Sequence, residues 1–189
     1  MIRTFLACAG IMVVALLSAA TEKPQIYRNA EFGITLPVPG GVMLCASPKG
    51  ERDHGPLMVL DPSQAKGCND AEGGRIVEVF ASFNAVQATK TLKKLLQSEC
   101  TGAGKGQCQP APTGLQIGGL HSAAGSVSDS NGWIDIIVVT QAGKPDPAFD
   151  ASVPSVNYVL RLHTREEHRE ADLRTFRTVL QTIKLFPAP

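Results

Sequence analysis

The sequence predicts an α+β fold: an antiparallel sheet with two main helices packed on it, cross-linked by two disulfides. Three observations predict it. Segments in which apolar residues alternate at a period of two lie on both sides of one mid-chain stretch of helical period, and a second helical stripe closes the chain. Four of the five cysteines remain once an apolar leader is set aside, an even set. The composition is globular, with 43% hydrophobic and 19% charged residues over 189 positions, and the length suits one domain. With 18 Lys+Arg against 17 Asp+Glu and no basic run, the chain lacks the field expected of a nucleic-acid binder or a polybasic membrane patch.

Residues 1–20 read as a secretory signal peptide. Arg3 precedes a charge-free run from Thr4 to Leu17, and Ser18-Ala19-Ala20 places small residues before a cut after Ala20. A transmembrane anchor, the competing reading, needs roughly 20 apolar residues, and Cys8 comes too early for a lipoprotein because no apolar region precedes it. Ile134 to Thr140, interrupted by Asp135, is too short to span a bilayer. The expected mature chain is therefore a single domain of residues 21–189, periplasmic or secreted, with no membrane span. Cleavage leaves 17 basic and 17 acidic residues, and Cys45, Cys68, Cys100 and Cys108.

In an oxidising compartment those four cysteines imply two disulfides, for which three pairings exist. Cys45–Cys68 and Cys100–Cys108 are favoured because each brackets a loop of Gly, Pro and polar residues, and closing such a loop contributes about 2–4 kcal/mol. A zinc site is the rival. His163 and His168 have a finger-like spacing, but no cysteine pair has the C-x-x-C spacing that would complete it. Neither a metal nor a cofactor is expected.

Along the mature chain, Phe32, Ile34 and Leu36 alternate as a half-buried strand, and Pro37 to Gly41 forces a turn into a short strand from Val42 to Cys45. A charged loop from Ser47 to His54, a short apolar run from Leu57 to Leu60 and a loop from Asp61 to Gly74 follow. Val77, Val79, Ala81 and Phe83 mark one face of a strand. Asn84 is then placed to cap a helix, with Gln87 at the third position. Val86, Thr89, Leu92, Leu95 and Leu96 form its stripe, and it should fail near Cys100 to Gly102.

Three strands are expected next: about Leu115 to Val127, Gly132 to Gln141, and Ser155 to His163. The middle one is continuously apolar from Ile136 to Val139, so it should lie centrally with both faces covered. Ser128 to Gly132 carries hairpin chemistry, since Asn-Gly supplies positive φ. In the last strand Asn157, Arg161 and His163 imply one wet face. Thr164 to Glu167 has the capping-box pattern, followed by a stripe of Leu173, Phe176, Leu180 and Ile183 that Pro187 ends.

The segment Tyr27-Arg-Asn-Ala-Glu-Phe-Gly-Ile-Thr-Leu-Pro with Pro-Gly-Gly41 after it, then a mid-chain helix, antiparallel strands and a terminal helix from Phe176 to Leu185, resembles the PsbP-like family, that of the photosystem II extrinsic protein and related exported bacterial proteins. The resemblance covers most of the mature chain. It implies an α-β-α sandwich, used in general for binding and scaffolding and not for catalysis. It carries no functional residue over, and Val42 stands where the family has an aromatic residue.

A search for chemistry yields little. His121-Ser122 are neighbours that point to opposite faces of a strand, without the turn a nucleophile elbow needs. Gly102 to Gly106 follows a helix instead of a strand and has no Ser or Thr after Lys105, so it is not a phosphate loop. Glu166 and Glu167 are explained by helix capping and dipole, and the arginines from Arg165 to Arg177 by a solvated face, with one side of a partner interface as the alternative. His163 and His168 read as surface residues. His54 reads either as a solvated loop histidine or, with Asp53 and Gly55, as the tip of a bridge-clamped binding loop at 46–67. The function expected is an exported non-catalytic binding protein with a protein partner, such as an immunity or inhibitor protein that blocks a toxin or cell-wall enzyme. A small-molecule or lipid carrier and a cell-envelope hydrolase are the alternatives.

Overall fold

Two-residue periodicity organises most of the chain, and where it fails the backbone turns. The computed structural model describes residues 25–45, 47, 51–65, 67–68, 74–84, 91–102, 108–142 and 155–185. The expected leader 1–20 and Pro187 lie outside them. In chain order the elements are β1 (Ile26–Asn29), β2 (Ile34–Pro37), β3 (Met43–Cys45), β4 (Leu57–Val59), β5 (Ile76–Phe83), α1 (Leu92–Gly102), β6 (Gln109–Pro110), β7 (Ala123–Ser128), β8 (Trp133–Ala142), β9 (Val156–Arg165), a single 3-10 turn (Glu166–His168), α2 (Arg169–Thr182) and β10 (Lys184–Leu185).

Seven strands form one antiparallel sheet in the order β3-β4-β5-β9-β8-β7-β6, and β1-β2-β10 form a second, smaller one. The long hydrogen-bonded ladders lie at the centre: β8 meets β9 from Trp133↔Arg165 to Ala142↔Val156, and β9 meets β5 from Ile76↔His163 to Phe83↔Val156. The apolar run of β8 has its cause in this position. Ile134, Ile136 and Val138 enter the main core with Phe176 and Leu180 of α2, while Ile137 and Val139 meet Leu95 and Cys100 of α1. Each helix thus covers one face of the large sheet, an α-β-α arrangement, and the small sheet supplies Ile34 and Leu36 to the α2 side.

Both disulfides take the expected pairing, Cys45–Cys68 and Cys100–Cys108, with Cα separations of 5.5 and 5.6 Å. The hairpin at Ser128 to Gly132 also forms. Asp129 Oδ1 accepts from the amides of Asn131 (2.8 Å) and Trp133 (2.9 Å), and Gly132 takes φ 78°.

Several sequence expectations are corrected. Asn84 does not cap α1. It is buried, and its backbone N–H and Nδ2 donate to Ser155 O (3.0 Å) and Oγ (3.3 Å). The helix starts at Leu92, where Thr91 Oγ1 accepts from the Lys94 amide (3.3 Å), while Val86, Gln87 and Thr89 lie outside the described residues. The strand expected from Leu115 begins only at Ala123. Leu115 and Ile117 are buried in a loop instead, because Gly118 takes φ 55° and turns its amide onto Leu180 O at 2.7 Å.

Thr164 is no capping residue either. It lies in β9 and donates to Asp172 Oδ2 (2.5 Å), tying α2 to the sheet, and neither the 3-10 turn nor α2 has a side-chain cap. The helix stops at Thr182, ahead of Pro187, because Lys184 and Leu185 find partners in Thr35 and Ile34 of β2. The expected wet face of β9 is closed: Val159 lies under α1, Arg161 meets Glu78 (3.3 Å) and Glu99 (3.4 Å), and His163 meets Asp135.

Candidate functional site

Immediately before β4, the chain from His54 to Pro56 already runs alongside β5: Ala81 donates its amide to His54 O (2.7 Å) and Val79 donates to Pro56 O (2.9 Å). Here the three residues expected at a loop tip are pinned. Asp53 accepts from Tyr27 Oη (2.7 Å), Ser47 Oγ (3.1 Å) and the Gly55 amide (3.1 Å), and its carbonyl accepts from Asn29 Nδ2 at 2.5 Å. Burial first, and then the bond to Asp53, push the Tyr27 phenol above its ordinary pKa, so it stays a donor. Gly55 is pressed on the backbone of β5 at φ 141°.

The reading of His54 as a solvated loop residue is corrected by its surroundings. Its Nδ1–H donates to Ala81 O at 2.8 Å, and its ring stacks on Phe80 (5.0 Å, 18°) and Phe32 (5.5 Å, 27°). Phe32 in turn packs on Phe83 at 4.8 Å. The Arg52 guanidinium lies 5.1 Å from the Phe83 centroid and 5.9 Å from that of Phe32, and pairs with Glu31. The result is a continuous aromatic run, Phe80–His54–Phe32–Phe83, with a cation over its end. Phe80 is 38% exposed, a large apolar side chain held outward on a fixed stack. Within the described loop Glu51 and Arg52 project, and Asp53, His54 and Gly55 form the base that holds them.

A second concave feature lies where Val59, Asp61, Arg75, Trp133, Arg165 and His168 converge, a cleft of about 620 Å³ in the range of small-ligand sites. Arg75 is fixed by Asp61 (3.1 Å) and by both carboxylate oxygens of buried Asp172 (3.1 and 3.3 Å). The Ser63 hydroxyl, with Arg75 behind it, holds the Asp61 carboxyl below its ordinary pKa. Trp133 stacks on His163 (4.3 Å, 11°) and lies under Arg165, whose guanidinium carbon is 4.5 Å from the ring centroid. His163 is thus half-buried and bonded to Asp135 Oδ1 (2.5 Å), a correction to its reading as a surface residue, whereas His168 is exposed as expected. Sequence reasoning missed this cleft because its walls come from the end of β4, the connection from Asp61 to Arg75, β8, β9 and the 3-10 turn. The one available signal was the single tryptophan following a hairpin.

The other candidates are not brought together. Ser122 Oγ donates to Leu120 O (2.9 Å) and accepts from the Ile117 amide (3.1 Å), so it holds a loop, and His121 beside it is exposed. Among the described residues no three His, Cys, Asp or Glu side chains are grouped to hold a metal ion. Residues 103–106 of the glycine-rich run lie outside them. Glu166 and Glu167 are exposed, and Arg169 reaches Glu166 at 3.4 Å.

Together these features define a disulfide-cross-linked α-β-α sandwich with a clamped aromatic face and an open polar cleft. No family model matches the chain, and no curated protein matches it. Among solved structures it is similar to LpqN of Mycobacterium tuberculosis, described as involved in cell envelope biogenesis, at 16% identity over 89% of this chain and 88% of that one, with a TM-score of 0.49. It is also similar to the cyanobacterial PsbP (CyanoP) of Synechocystis sp. PCC 6803, at 11% identity over 95% and 98% of the two chains, with a TM-score of 0.45.

Proposed function

We propose that this is an exported, non-catalytic binding protein that engages a protein partner through the face built by Arg52, His54 and Phe80. The observation that carries the reading is the outward Phe80 ring on its fixed stack. An aromatic side chain already ordered in the free protein loses little entropy on docking, and aromatic and arginine side chains dominate interface energetics. Asp53, His54 and Gly55 supply the support. Tyr27, Ser47, Asn29 and the β5 backbone hold this base, so the surface meets a partner preformed.

Export is supported by the leader sequence and by two disulfides, which persist in oxidising compartments. An immunity or inhibitor role, occluding a toxin or a cell-wall enzyme, is the finer form of this reading. A carrier pocket between sheet and helix is disfavoured, since Leu95 and Cys100 of α1, and Phe176 and Leu180 of α2, fill those interfaces.

The test is a photo-crosslinking amino acid placed at exposed Glu51 in the native host. One defined protein adduct is expected, lost on adding Phe80→Asp or Arg52→Glu and retained with a remote Arg177→Glu change. An adduct indifferent to Phe80→Asp and Arg52→Glu overturns the surface.

A further inference from the structure

Arg165 is set apart from the described arginines that form ion pairs. Arg52, Arg75, Arg161 and Arg169 all pair with carboxylates. Arg165 is half-buried beside the cleft and, among the described residues, makes no ion pair; its guanidinium lies over the Trp133 ring at 4.5 Å. The two residues are direct cross-strand partners, Trp133↔Arg165. Behind them the support is continuous: the indole rests on His163, and His163 is bonded to Asp135. A cation held over a ring face does not use up the guanidinium N–H donors, which remain available as a fork for a planar anion.

From this geometry we infer that the cleft binds a ligand presenting a single carboxylate next to an apolar group, with Arg165 as the fork. The site is separate from the Phe80 face and does not rest on the partner reading. The charge of the lining selects the ligand. Arg75 is already shared between Asp61 and Asp172, and Glu167 stands at the wall, so an added anion meets carboxylates as well as Arg165, and a monoanion is repelled less than a phosphate dianion. Ala65 and the Trp133 ring offer apolar surface beside the fork. Two sources share this chemistry, a free small carboxylic acid and the C-terminus of a peptide.

Trp133 is the only tryptophan, so its fluorescence reports directly on the cleft. The purified protein is titrated with N-acetyl-leucine, the free tripeptide Ala-Ala-Leu, the C-terminal amides of both, and inorganic phosphate. Saturable change with a carboxylate and none with its amide is expected. Saturation by the tripeptide assigns peptide C-termini, and saturation by N-acetyl-leucine alone assigns a free small acid. Arg165→Gln should weaken binding about ten-fold or more, as loss of a bidentate charged pair does. Glu167→Gln, at an exposed position that leaves the fold alone, should tighten it. An equal response to acid and amide, tighter binding of phosphate, weaker binding by Glu167→Gln, or no saturable response at all overturns the inference.

Discussion

At Gly55 the backbone takes φ 141° with β5 so near that an added Cβ would sit 2.1 Å from Val79 O. The atom in the way is a carbonyl whose residue is held in the β5–β9 ladder, so it cannot yield as a side-chain end could. Gly55→Ala is therefore expected to destabilise the fold by about 1–3 kcal/mol, the range for forced overpacking, with added strain from the left-handed φ. Urea unfolding measures it, and an unchanged midpoint would show that residues 54–56 do not hug β5. Gly132 makes the contrast, since its φ of 78° is demanded by the turn while nothing lies within 4 Å of its Cβ position. Gly55 lies between His54 and Pro56, so the same crowding fixes the stack that carries Phe80. Neighbouring Asp53 works by polarity, gathering Tyr27, Ser47 and the Gly55 amide on one carboxylate.

Among the elements, those with a strong single periodicity were legible in advance. β5, β8, β9 and the α2 stripe rest on alternation or on three- and four-residue spacing, and each lies where the pattern put it. What pattern could not show was competition for partners. Asn84 and Thr164 are both good capping residues by type, yet Ser155 and Asp172, 71 and 8 residues away, bind them instead. β10 forms because β2 offers an edge, a fact that no local sequence in Lys184–Leu185 carries. Likewise the cleft needs five segments at once, while His54 was visible as a residue but its stack was not. The disulfides, legible from loop composition, invite a quantitative comparison. Cys45–Cys68 closes a separation of 23 residues and Cys100–Cys108 one of 8. Chain-entropy arithmetic gives about 3.4 and about 2.5 kcal/mol, so replacing the first pair by serine should lower stability more than replacing the second. Denaturant titration of the two double variants decides it, and the reverse order would show that Cys100–Cys108 acts chiefly by pinning the end of α1 onto Val127 and Val139.

For the whole molecule, the two tyrosines join parts that are remote in sequence, and both are at most 9% exposed. Tyr158, on the central strand, donates to Phe32 O at 2.7 Å, binding the large sheet to the turn between β1 and β2. Tyr27 binds β1 to Asp53. Burial drives both phenols above their ordinary pKa, in Tyr27 with the Asp53 carboxylate adding to the effect. The folded chain therefore retains two protons that the unfolded chain releases above about pH 10, so stability is fully present below that value and declines as pH rises past it. Because the phenols hold together the small sheet, the large sheet and the Asp53 base, they should not ionise one at a time in an intact fold. The expected outcome is an alkaline transition in which tyrosinate absorbance and loss of the circular dichroism signal rise together, with no tyrosinate step near pH 10 in the native state. Tyr158→Phe leaves Phe32 O without its donor, which costs about 1–3 kcal/mol, and shifts the transition to lower pH even though one ionisable group has been removed. A native-state tyrosinate step near pH 10 would place a phenol in solvent and detach the small sheet from the base of the Phe80 face.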